Sequence, residues 1–117
     1  MEIVTSDDRG ATARVALTGR LDIIGAEKIA LPLATIAGAK QGLIVDMSGV
    51  SFIASIGIRQ LVSAAKALSR RKGLLVLLNP TDMVAEVLTG SGLTDLLPIV
   101  RSDSEAVAAL NAAMQRI

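Results

Sequence analysis

The stretch "SFIASIGIRQL" at residues 51–61 sets a serine among apolar residues, with glycine two places on. Ser55 there has three chemical readings: a helix cap, a nucleophile, or an acceptor of a phosphoryl group. The nucleophile reading fails on its surroundings. No glycine stands two places before the serine, and the chain has no histidine to take its proton. As a cap, the hydroxyl would accept from the amide of Gly57 or Ile58, for about 1 kcal/mol. As a phosphoacceptor it needs only to be reached by a kinase, which a helix N-terminus allows because its first amides are unpaired. A second candidate set is Asp7, Asp8 and Asp46, which could pose as the acidic pair and phosphoaspartate of a response-regulator receiver. Such a site also wants a lysine after a late strand, and none follows Lys72. "TSDD" at 5–8 reads better as a hairpin turn, and Ser48 before Gly49 as a turn-forming serine rather than a second phosphoacceptor.

Composition narrows the chemistry further. The chain has 117 residues, enough for one buried core, and is 51% hydrophobic. Much of that is alanine, and no window approaches the roughly 18 unbroken apolar residues of a membrane span. The opening "MEIVTSDDRG" has acids early and no basic and apolar regions in series, so no signal peptide is expected and the cytoplasm is the expected address. There is no cysteine for disulfides or thiolate metal sites, and no histidine for zinc or general-base work. With a net charge of +1 and Phe52 as the single aromatic residue, no basic patch with stacking rings is present for nucleic acid. No glycine-rich phosphate loop occurs, and no cofactor or metal is expected.

These residues need elements to hold them. "ARVALTGRLD" alternates in polarity and predicts a strand, half wet, ending at Gly19. From Ala26 the apolar positions Ile29, Ala30, Leu33, Ile36 and Ala37 keep helical spacing, and Pro32 should kink that helix or mark a tighter start. "GLIVDM" at 42–47 predicts a strand covered on both faces. A helix follows Ser55, ended by Arg70, Arg71, Lys72 and Gly73, with the three cations read as a solvated end. "LLVLL" at 74–78 is a second buried strand, and "NPTDMVAEVLTGSG" a short helix that opens with cap chemistry and Pro80 and closes at Gly90. "LLPIV" is a short strand, and 102–116 a last helix capped by Ser102 with Glu105 three places on. No repeat or linker divides the chain. One α/β domain over 1–117 is expected, with a mostly parallel sheet of about four to five strands flanked by about four helices.

Around the central helix, at about 100° per residue from Ser55, the residues Ile58, Leu61, Val62, Ala65 and Leu68 gather near 280°, the buried side. Arg59, Gln60, Ser63, Ala67 and Arg70 gather on the wet side, and Ile56 falls in its middle at about 100°. A branched apolar residue beside Ser55, out of reach of the core, is the oddest feature of the pattern. Phe52 is expected to plug the core beneath the loop that presents Ser55.

Three segments carry a resemblance: "TGRLD" at 18–22, "IVDMSGVSFIASIGIRQLV" at 44–62 and "LLNPTDMVAEVLTGSGLTDLLPI" at 77–99. In order and spacing they resemble the STAS domain of bacterial anti-sigma factor antagonists, over essentially the whole chain. The resemblance implies partner switching and no enzymatic activity of its own. Ser55 would be phosphorylated by a partner that is both serine kinase and anti-sigma factor, with a histidine-kinase-like ATPase fold. The unphosphorylated form would bind that partner and free the sigma factor, and a serine phosphatase would reset it. Asp22 matches the aspartate of the family's loop near the serine, and Asp46 the residue closing the central strand. The family often has aspartate where this chain has Ala54, and serine or threonine where it has Ile56. The expected partner-binding set is Asp22, Ala54, Ile56, Gly57, Arg59, Gln60 and Ser63, with Gly57 either admitting a partner's backbone or filling a crowded first turn. A homodimer stays open. The competing reading keeps the fold without the switch: a scaffold or accessory subunit of a stressosome or lipid-transport complex.

Overall fold

In the computed structural model, which describes residues 1–114 except the side chains of residues 7–9, alternating strands and helices build one α/β domain. The elements are β1 (Glu2–Arg9), β2 (Thr12–Leu21), α1 (Ile23–Ala39), β3 (Gly42–Ile53), α2 (Ser55–Arg70), β4 (Leu74–Leu78), α3 (Asp82–Gly90), β5 (Ile99–Val100) and α4 (Asp103–Met114). The sheet order is β1-β2-β3-β4-β5, with β1 antiparallel and the other pairs parallel. This order excludes the receiver reading, whose doubly wound sheet runs 2-1-3-4-5. The side chains of Asp7 and Asp8, and the expected helix end at Arg116, lie outside the described residues.

The alternating strand face and the helical apolar rows close one main core. Val15, Leu17 and Leu21 of β2 meet Leu43, Val45 and Met47 of β3, Ile29 and Leu33 of α1, Leu61 and Leu68 of α2, and Val84 and Leu88 of α3. On the other sheet face Ile44, Val76 and Leu78 pack with Ala106 and Leu110 of α4. Each fully buried leucine or isoleucine contributes about 1.5–3 kcal/mol. Among the described residues no polar or charged side chain is buried.

Three expected boundaries move, each for a backbone reason. The chain reverses at Gly10, φ 48°, rather than in "TSDD", which belongs to β1. β2 does not stop at Gly19. That glycine, at φ 113°, lies at an irregularity in the pairing with β3, and the strand runs on to Leu21. Likewise β3 passes through Ser48 and Gly49 to Ile53. From Ala16 to Thr18 β2 advances two residues while β3 advances three, Asp46 to Gly49, and a second extra β3 residue sits between Val50 and Phe52. The Asp46 carboxylate holds the first bulge by accepting from the Ser48 amide at 3.0 Å and its hydroxyl at 2.8 Å. Ser48 is thus part of a strand bulge, not of a turn.

α1 begins three residues earlier than its core face suggests, at Ile23, and continues without a break through Pro32. At the other end of α1, Arg71 donates to the carbonyls of Ala37 at 2.7 Å and Lys40 at 2.6 Å. One of the three cations read as a solvated end therefore closes a neighbouring helix. α4 opens as expected, with the Glu105 amide donating to Ser102 Oγ at 3.2 Å.

Candidate functional site

β2 and β3 end level with each other, Leu21 opposite Ile53, and each opens directly into a helix. The N-termini of α1 and α2 therefore stand side by side at one sheet end. The amide of Ala54 donates to the Leu21 carbonyl at 3.0 Å, which ties the entry of α2 to the end of β2.

Ser55 is the first residue of α2, not its cap. The cap is Ala54, whose extended backbone precedes the helix and whose methyl group can accept nothing. The Ala54 carbonyl takes the amides of Gly57 at 2.9 Å and Ile58 at 3.1 Å. Among the described residues, the amides of Ser55 and Ile56 have no backbone or capping partner, the open donors of an uncapped helix. Ser55 itself is exposed, and its hydroxyl makes no hydrogen bond among the described residues. An acceptor hydroxyl thus stands over two free amides and the positive end of a helix dipole, a place that favours an anion.

The expected partner face divides. Arg59 and Ser63 are exposed and Gln60 is half-buried, on the side of α2 away from the core. Ile56 is half-buried rather than fully wet, because the first turn leans on the end of β2. Gly57 does not face outward. It is buried, and a Cβ there would lie 2.6 Å from Leu21 Cγ and 2.9 Å from the Leu21 carbonyl oxygen. Its smallness lets α2 close on β2, which fits the crowded first turn, one of the two readings left open for it.

Asp22 caps α1, its Oδ1 accepting from the Gly25 amide at 3.0 Å. That bond, above all, holds its carboxyl below the usual carboxylate range against an opposing desolvation. Its own amide and the Arg20 guanidinium add to the lowering. Arg20 Nε lies 3.6 Å from Asp22 Oδ2, and its guanidinium sits 4.3 Å from the centroid of Phe52. Phe52 is thus only half-buried beneath a cation and does not plug the core.

Sequence reasoning missed Arg20 and Leu21, and with them Ile23 and Ile24 in the first turn of α1, which are 66% and 67% exposed. Carrying the helical angles of α1 back from Ala26 would have put Ile24 off the core face, whereas Ile23 falls at its edge, within about 20° of Ala30. Ser55 lines neither of two cavities, of about 680 and 260 Å³, which border α4 on the other side of the sheet. Among the described residues no cluster of metal-binding side chains occurs, and no helix is long and apolar enough to cross a membrane.

This arrangement has relatives. The STAS domain family matches residues 4–111. The chain belongs to that family. A relative in Bordetella bronchiseptica, BtrV, is named as a candidate anti-sigma factor antagonist; it is 28% identical over 114 residues, 97% of this chain and 98% of its own. The solved structure of the anti-sigma factor antagonist SpoIIAA in its unphosphorylated form matches with a TM-score of 0.80 and 25% identity, covering 95% of this STAS domain and 97% of that chain. The phosphorylated form of SpoIIAA from Bacillus matches with a TM-score of 0.72 and 24% identity, over 92% and 98% of the two chains.

Proposed function

We propose that this STAS domain is an anti-sigma factor antagonist that switches partners through phosphorylation of Ser55. The observation that carries the reading is the exposed, unbonded Ser55 hydroxyl above the open amides of Ser55 and Ile56. The likeness to BtrV and to SpoIIAA supports it. The partner is a serine-kinase anti-sigma factor, docked in the unphosphorylated state on Ile56, Arg59, Gln60 and Ser63, with Asp22 and Ala54 at the edge. A serine phosphatase reverses the modification.

The energies favour release over refolding. A phosphate adds about −1.5 to −2 charges, and at the first turn of a helix it gains roughly 0.3–1 kcal/mol from the dipole and amides. Burying the same charge unpaired under a docked protein costs on the order of 2–5 kcal/mol. At ~1.4 kcal/mol per decade, affinity falls roughly thirty- to several-thousandfold. The effect on the interface is the larger, so the modified fold persists while the partner leaves.

The test is to incubate the chain with a serine-kinase anti-sigma factor and ATP and read the mass. One phosphoryl group is expected on the wild type and none on Ser55→Ala. Undiminished modification of Ser55→Ala would overturn the reading, as would unchanged partner affinity in Ser55→Asp.

A further inference from the structure

α1 is apolar on both sides. Gly25, Ala26, Ile29, Leu33 and Ala37 face the core, yet Glu27 and Lys28 are the sole charged residues among the seventeen from Ile23 to Ala39. A helix apolar all round is ordinarily covered all round. On its outer side Ile24 is 67% and Leu31 75% exposed, and the small exposed residues Ala34 and Gly38 continue the strip. Ile24 and Leu31 are one heptad apart and lie within about 20° of each other around the helix, with Glu27 about 40° to one side and Lys28 about 60° to the other. Neither charge has a hydrogen-bond or ion-pair partner among the described residues.

That pattern complements itself in one orientation. A twofold axis parallel to α1 sets Ile24 on Ile24 and Leu31 on Leu31 of a second copy. It also brings each helix's Glu27 flank against the other's Lys28 flank at nearly the same height. An antiparallel pair centred between the two charges would instead oppose Glu27 to Glu27 and Lys28 to Lys28. We propose that the outer face of α1 is the interface of a parallel homodimer of this chain. A twofold interface uses the same patch on both copies, as this one does. The strip of a 17-residue helix is about 26 Å long, smaller than a standard interface, so the dimer is weak and concentration-dependent. Because α1 and α2 begin at the same sheet end, both Ser55 hydroxyls would point from the same end of the dimer.

Sedimentation velocity of the wild type from low to high micromolar is expected to show mass rising from the 12.1 kDa monomer toward twice that value. Leu31→Glu, at an exposed site, should keep the melting temperature and raise the dimer dissociation constant at least about a hundredfold. Glu27→Lys should weaken the dimer, and adding Lys28→Glu should restore it. The chain has no cysteine, so Ile24→Cys introduces one thiol, and oxidation should yield a covalent dimer because residue 24 meets its own copy. A monomer at every concentration would overturn the proposal, as would a dimer indifferent to Leu31→Glu or one that Ile24→Cys cannot trap. A monomer that binds anionic lipid vesicles through Leu31 would also overturn it, and would assign the face to a membrane surface.

Discussion

The carbonyl of Leu21 accepts from the amide of Ala54 at 3.0 Å, and the same leucine's Cγ would lie 2.6 Å from any Cβ at position 57. One residue at the end of β2 thus sets both the cap and the third residue of α2, with Ser55 held between them. The position of the hydroxyl is a property of two adjacent strands, not of the helix that carries it.

A cap can be added to α2 where there is none. Ala54→Asp is expected to stabilise the unmodified protein by about 0.5–2 kcal/mol, and Ser55→Asp by about 0.3–1 kcal/mol. Combined, the two carboxylates compete for the same amides and repel each other, so the gain should fall short of additive. Urea unfolding of the single and double variants measures this. Full additivity would mean that the Ser55 and Ile56 amides are not donors shared by the two carboxylates.

Gly57→Ala forces a methyl group into Leu21, side chain and backbone both. The expected loss is about 1–3 kcal/mol, with a lower melting temperature. If partner binding is measured alongside, it should drop too, since Ser55 and Ile56 would shift with the first turn. A variant as stable as the wild type would show that α2 does not rest on β2 at this point.

Asp22 makes part of the stability depend on pH. Its carboxyl lies lower in the folded chain than in the unfolded one, first because of the Gly25 amide. The contribution is therefore complete above the unfolded value of about 4 and is lost as pH falls through the folded value. Asp22→Asn keeps a capping oxygen and removes the titration, so its melting temperature should fall less steeply than that of the wild type below about pH 4. Parallel acid limbs for the two proteins would remove Asp22 from this role.

Arg71 closes the C-terminus of α1 through two short bonds to carbonyls. Arg71→Ala is expected to cost about 1 kcal/mol, after discounting for its exposure, and to speed amide exchange in the last turn of α1. Arg70→Ala, which removes a neighbouring charge without those bonds, should leave exchange there unchanged.

Much of the fold was legible without coordinates. Apolar residues at helical spacing in α2, the unbroken apolar runs of β3 and β4, and the Ser102–Glu105 start of α4 all recur as read, because each reports a local period or cap. The ends of β2 and β3 did not recur. Gly19 and Gly49 look like stops in one dimension, but bulges let paired strands continue past them.

The site divides along the same line. Residue order alone put a serine in the first turn of the central helix, at the edge of the apolar row of Ile58, Leu61, Val62, Ala65 and Leu68. Its exposure is read from the structure. Tertiary pairing settled the rest: that Ala54 rather than Ser55 is the cap, that Gly57 looks inward, and that Phe52 lies under Arg20. Each of these depends on where Arg20 and Leu21, more than thirty positions away, come to rest beside β3. A helical period records which face is buried. It holds no record of what stands against that face.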